Sequence, residues 1–262
     1  MEAIIQVMEA VMGARDPYTV GHQQRVTRLA CAMAEKMDLP WERLCMLHTA
    51  AALHDLGKIA IPSGILAKPG KLSAIEFAMI KSHPQAGYDI LKPWNFPAEI
   101  GLIILQHHER LNGSGYPQGL KGKKILLEAQ ILSVADVVEA MCSHRPYRPA
   151  RGLARALEEI SQSKGILYDA AVVDSCVKLC ESTRDTEELF TAATPAPTLQ
   201  MLYGQAQATA RERGNLQKRR PRRIRAGRFS WSDLPSKQFR FLLHASVASF
   251  LGAVIMVGKN II

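Results

Sequence analysis

Apolar residues recur at helical spacing along most of the first 190 residues. The runs IIQVMEAVM, VTRLACAMAEKM and LARALEEI repeat hydrophobic positions every three or four residues, the period of one face of an α-helix. Pro40, followed by Trp41 and Glu42, reads as the opening of a helix that carries His54 and Asp55. Gly57 reads as its stop. Ser73-Ala-Ile-Glu76 is a capping box ahead of FAMIKSH. Pro84 is expected to hold the preceding His83 out of helical geometry, and ARDPYTVG, ahead of His22, reads as a turn. Strand-type alternation is nearly absent. The pattern predicts an all-α domain with one loop-rich insert, LNGSGYPQGLKGKK, at residues 111–124.

The pattern changes after residue 185. TAATPAPT has the composition of a linker, QKRRPRRIRAGR is a basic block that repels itself, and the last stretch is apolar with small residues. This predicts a domain over residues 1–185, a linker over 186–198 and a tail over 199–262 that is not an independent domain. Phe241–Val257 meets only the lower limit of roughly 17–25 residues for a membrane span, and His244 sits near its start. Membrane contact through this tail is the alternative reading. A chain ending near residue 190 is expected to fold and work without the tail, because the domain's candidate ligands all precede residue 137 and its charge is nearly balanced without it.

Charge follows the same division. The net charge is +9, but residues 191–262 hold 12 Lys and Arg against 2 Asp and Glu, while the first 190 residues are almost balanced. The basicity belongs to the tail, so no DNA binding is expected of the domain. The 5 Cys are scattered, with no CxxC pair, and the N-terminus lacks a secretory pattern. Reduced thiols and a cytoplasmic location follow as expectations. Cys142, Cys176 and Cys180 read as core packing.

Candidate chemistry lies in the histidines. His54 and Asp55 sit side by side in the apolar stretch AALHDLGK, where a buried carboxylate needs a partner or a metal. His22, His83, the pair His107-His108 and Asp136 supply further imidazole and carboxylate groups, the ligand types of divalent first-row metals. Five His and two Asp exceed one tetrahedral site and suit two ions sharing a carboxylate. Two ions about 3.5–4 Å apart form the clamp used for phosphoryl displacement. His48 and His144 read as structural.

The segments RDPYTVGHQQRV, HDLGKIAIP, ILAKPGKL, SHPQAGYDIL, HHERLNGSGYPQGLKG and SVADVVEAMCSHRPYR resemble the HD-GYP phosphodiesterases, a branch of the HD metal-dependent phosphohydrolases. The resemblance covers roughly residues 1–185. It implies a helical bundle with a metal centre in its core and hydrolysis of cyclic di-GMP to linear pGpG, GMP or both, by a hydroxide activated by two metals. It implies His22, His54, Asp55 and Asp136 as ligands of a first metal. It implies His83, His107 and His108 as ligands of a second, with Asp55 bridging. Iron or manganese is the expected metal, with zinc, nickel or cobalt as alternatives. Lys58, Arg145 and Arg148 match positions that contact substrate phosphate. Gly115-Tyr116-Pro117 matches the loop that flanks the active site and meets signalling partners.

Three positions depart from the family. Tyr18 stands where some members carry a Glu that binds a third metal, so two metals are expected. Asn112 and Glu139 replace residues that are usually Asp, and weaker support of the ligands is expected from them. Another cyclic dinucleotide, such as cyclic GMP-AMP, is an alternative substrate, and a silent messenger-binding module is an alternative function.

Overall fold

The computed structural model describes residues 2–15, 17–94, 96–143, 149–182, 197–199 and 201–202, with backbone alone at 2, 15, 17–20 and 182. Among these the helices are α1 (Glu2–Arg15), α2 (Pro17–Lys36), α3 (Trp41–Leu53), α4 (Ser63–Leu66), α5 (Ala74–Ile80), α6 (His83–Leu91), α7 (Ala98–Gln106), α8 (Leu127–Cys142), α9 (Leu153–Gln162) and α10 (Ala170–Ser182). No strand occurs among the described residues, which agrees with the all-α expectation. No helix among them is long and apolar enough to cross a membrane. His144, Arg145, Arg148, the basic block and the apolar tail lie outside the described residues.

The core explains how the site is positioned. On α2, Val26, Leu29, Ala30, Met33 and Ala34 are buried at spacings that form one face. His22 lies four residues before Val26, so the stripe that buries the helix also carries His22 inward. On α8 the buried face runs through Ile131, Leu132, Ala135 and Val138. α2 packs on α3 and α8, and α7 packs on α3 and α6. Helix-on-helix burial thus brings α2, α3, α6, α7 and α8 around one centre.

Local signals were met in most places. The capping box is present in both directions, with Ser73 accepting from the Glu76 backbone and the Glu76 carboxylate accepting from that of Ser73. Pro40 is the N-cap of α3 rather than its first residue. Two expectations are corrected. His83 is the first residue of α6, because Pro84 falls within the first turn, where a missing N–H costs nothing. The stretch directly ahead of His22 is helical from Pro17 onward, where α2 begins.

Residues past the expected domain end also touch the core. The Pro197 carbonyl accepts from His48 Nε2 at 2.6 Å. Leu199 packs with Ile5, Cys45 and Ala52, and Leu202 is buried in the main core. A chain ended at residue 190 is therefore expected to unfold several degrees below one ended at residue 202, because it leaves these apolar surfaces in water. Thermal unfolding of the two chains checks this, and equal midpoints would show that the segment adds no stability.

Candidate metal centre

The ends of helices supply the site. His54 caps the C-terminus of α3 and His107 that of α7, while α5 ends three residues before His83. Carbonyls at a helix C-terminus lack intrahelical donors. Each of these histidines satisfies one: His54 Nδ1 donates to Ala51 O at 2.7 Å, His83 Nδ1 to Ile80 O at 2.7 Å and His107 Nδ1 to Ile104 O at 2.6 Å. A carbonyl only accepts, so the proton sits on Nδ1 and each Nε2 presents a lone pair.

Those lone pairs converge. His83 Nε2 and His107 Nε2 stand 3.3 Å apart. His83 Nε2 lies 3.6 Å from Asp55 Oδ1, and His54 Nε2 lies 3.6 Å from Asp55 Oδ2. His54 Nε2 is buried and has no hydrogen-bond partner among the described residues. His108 joins with its ring 4.0 Å from that of His107 and 5.0 Å from that of His83. His22 Nε2 faces Asp136 Oδ1 at 3.1 Å and Asp55 Oδ2 at 4.0 Å. Three overlapping groups could each hold an ion: His83 with His107 and His108, His22 with His54 and Asp136, and His54 with Asp55 and His107. All seven residues expected from the sequence are thus brought together. Facing acceptor nitrogens and an orphaned buried nitrogen are what a cation would reconcile.

Electrostatics point the same way. Burial lowers His83 to about 4, and burial among the neighbouring imidazoles lowers His107 to about 3. Burial and its histidine neighbours hold His108 well below its ordinary value. These rings stay neutral and keep their lone pairs. Burial would raise Asp55, but Lys58 and the surrounding histidines hold it well below the usual carboxylate range. Burial would likewise raise Asp136, and its hydrogen bond with His22 outweighs that. Burial alone would lower His22, yet hydrogen bonds to Asp136 and Glu139 lift it to about 9. Asp136 and Glu139 thus flank the His22 ring from both sides and favour its charged form.

Glu139 supports this arrangement where weakness was expected. It is fully buried on α8, three residues after Asp136, and accepts from His22 Nδ1. Arg25 Nε donates to its other oxygen at 2.6 Å, as does the Ser143 hydroxyl. Burial opposes its ionisation, but His22, Ser143 and Arg25 bring it down to about 2. The longer side chain spans the gap between α8 and α2. Its spacing from Asp136, matched by that of Arg25 from His22, was the available signal.

Lys58 is not on a continuous helix with Asp55. α3 ends at Leu53, and Lys58 lies in a 3-10 turn, Leu56–Ala60. Its Nζ donates to Asp55 Oδ2 at 2.7 Å while the side chain remains 21% exposed. Gly57 meets a need beyond a stop signal: a Cβ there would stand 1.9 Å from His83 O and 2.5 Å from Gly87 N. The turn and α6 touch backbone to backbone.

The GYP loop is fastened by Glu109, a residue the sequence reading passed over although it follows His108 directly. Its buried carboxylate accepts from the backbone N–H of Gln118 at 2.7 Å, Gly119 at 3.1 Å and Leu120 at 2.9 Å. Gly115 passes so close to His108 O that a Cβ would sit 2.5 Å from it. Tyr116 lays its ring 4.7 Å from that of His108, ahead of a cis bond to Pro117. Asn112 accepts from Ser114 inside the loop. Tyr18 lies on α2, with its side chain outside the described residues. His48 is buried, bonds the Pro197 carbonyl and belongs to none of the three groups that could hold an ion.

The HD-domain family profile matches residues 6–172. The chain belongs to the HD-domain family. Among HD-domain relatives, it is 43% identical over 166 residues to the cyclic di-GMP phosphodiesterase response regulator RpfG of Xanthomonas campestris, covering 63% of this chain and 44% of that protein. It is 40% identical over 184 residues to a cyclic di-GMP phosphodiesterase of Thermotoga maritima, covering 70% of this chain and 50% of that one. It is 34% identical over 157 residues to the 3'3'-cGAMP-specific phosphodiesterase 3 of Vibrio cholerae, covering 60% and 34%. The chain thus spans half or less of the length of these HD-domain relatives.

Proposed function

We propose that this HD domain is a metal-dependent phosphodiesterase that hydrolyses cyclic di-GMP to linear pGpG, GMP or both. The observation that carries the reading is the convergence of unprotonated Nε2 atoms on Asp55, with His83 and His107 facing each other at 3.3 Å. The relatives named as cyclic di-GMP phosphodiesterases supply the substrate. His22, His54 and Asp136 would hold one divalent ion and His83, His107 and His108 a second, with Asp55 shared; iron or manganese suits this donor set. Ions bound there would polarise the phosphoryl group and lower the proton affinity of water.

The chain's own residues do the rest. Glu139 and Arg25 fix the ring of His22, and the helix-end carbonyls fix His54, His83 and His107, so the ligands pay little reorganisation. Lys58 reaches from Asp55 toward solvent and would meet the phosphoryl oxygens where negative charge gathers. Arg145 and Arg148, outside the described residues, are proposed as further phosphate contacts. Tyr116 shields His108, while the exposed Pro117 and Gln118 are left to meet a signalling partner.

Chromatography of products from cyclic di-GMP and 3'3'-cGAMP, with manganese or iron(II) and with chelator, tests the reading. Metal-dependent release of pGpG or GMP is expected. Faster turnover of 3'3'-cGAMP would move the substrate to the alternative that one relative's name suggests, and no turnover would leave a silent binding module. Lys58→Ala is expected to lower kcat by roughly 10²–10³-fold, as for loss of one transition-state charge donor, with metal content near that of the wild type. Metal loss as deep as that of His54→Ala would show that Lys58 holds the site together instead of serving the substrate.

A further inference from the structure

The short helix α5 contributes no buried residue, although it lies directly before His83. Instead it exposes apolar side chains, and the ring of Phe77 is 45% exposed. Lys81 follows one turn later. Its Nζ stands 4.7 Å from the Phe77 ring centroid and 5.6 Å from that of Tyr116. Tyr116 in turn lies on His108, with ring centroids 4.7 Å apart. The result is a continuous strip of ring, cation and ring that starts at the histidine cluster and runs outward to solvent. Lys81 is exposed, so an incoming anion can reach the ammonium that lies over the two rings.

This strip matters because of the chemistry of the substrate class. A cyclic dinucleotide carries two phosphodiester groups and two purine bases. Only one phosphorus can sit at the histidine–aspartate cluster, so the second nucleotide must lie beside it. That nucleotide offers one negative charge and one flat π-face. A cation held between two aromatic rings answers both. We propose that Phe77 and Lys81, with Tyr116 as the wall toward the metal site, form the subsite for the second nucleotide: Lys81 meets the phosphate that is not cut, and Phe77 offers its exposed face to a purine base. This rests on the reading of the chain as a cyclic dinucleotide phosphodiesterase. It adds a positioning role for residues outside the ligand set.

The test compares two diesters on the full manganese-loaded chain. Cyclic di-GMP needs the subsite, whereas bis(4-nitrophenyl) phosphate has one phosphate and no purine. Phe77→Ala and Lys81→Ala are both surface changes. Each is expected to lower kcat/KM for cyclic di-GMP by about tenfold, mainly through KM, relative to the value for the simple diester. Lys81→Arg is expected to recover most of the loss, because it restores the charge and the stacking. An equal fall for both substrates would mean a general structural role and would overturn the subsite, as would unchanged ratios in both variants. A wild-type chain that cleaves the simple diester but neither cyclic di-GMP nor 3'3'-cGAMP would overturn the parent reading and the subsite with it.

Discussion

Replacing Asp55 with alanine is expected to abolish hydrolysis of cyclic di-GMP and to strip more metal than any other single change in the cluster. The reason is its central place. Its two carboxylate oxygens lie 3.6 Å from His83 Nε2, 3.6 Å from His54 Nε2 and 4.0 Å from His22 Nε2. No other carboxylate in the cluster faces histidines from both candidate ion groups so closely. Its loss would also leave Lys58 without its partner. Both ions would lose a ligand and a neutralising charge, so activity should fall by more than about 10³-fold, beyond the effect of an outer support residue. Metal analysis and turnover, measured on the same preparation, check this. Retained turnover by a metal-depleted Asp55→Ala protein would remove the mechanism.

Gly57→Ala should also be strongly damaging, although Gly57 carries no functional group. The added Cβ would meet His83 O at 1.9 Å and Gly87 N at 2.5 Å, and both obstacles are backbone atoms. No side-chain rotation relieves such a clash, so the Leu56–Ala60 turn and α6 must separate. That moves Asp55 and Lys58 on one side away from His83 on the other. Overpacking in a well-packed core costs about 1–3 kcal/mol, and a misplacement of about 1 Å at a reacting centre costs around 10²-fold in rate. The variant should therefore melt lower and lose activity out of proportion to its stability. Thermal unfolding with parallel kinetics reads both quantities. Wild-type activity would show that this backbone contact does not set the distance between Asp55 and His83.

How much of this was legible in the sequence differs by residue. The helical period located α1, α2 and α9, and the Ser73–Glu76 capping box opened α5 where expected, because these are local patterns. His22, the HD pair, His83, the HH pair and Asp136 were the seven side chains the sequence named, and they converge. What could not be read was how they are held. The Nδ1 bonds to carbonyls three residues back depend on where each helix ends, and those ends were misjudged at His54 and His83. Glu139 looked like a defect when compared with the usual Asp. Only the gap between α2 and α8 shows that its extra methylene reaches His22 and Arg25. Gly57 looked like a helix stop, whereas its need arises from α6, a non-local contact. The packing of Leu199 and Leu202 is non-local too, and linker-like composition masked it.

Anomalous scattering from crystals of the manganese-loaded chain measures the centre most directly. Two peaks of full occupancy are expected, one among His83, His107 and His108 and the other among His22, His54 and Asp136, with Asp55 between them. A third full peak near Tyr18, a single peak, or none within the cluster would contradict the two-metal reading.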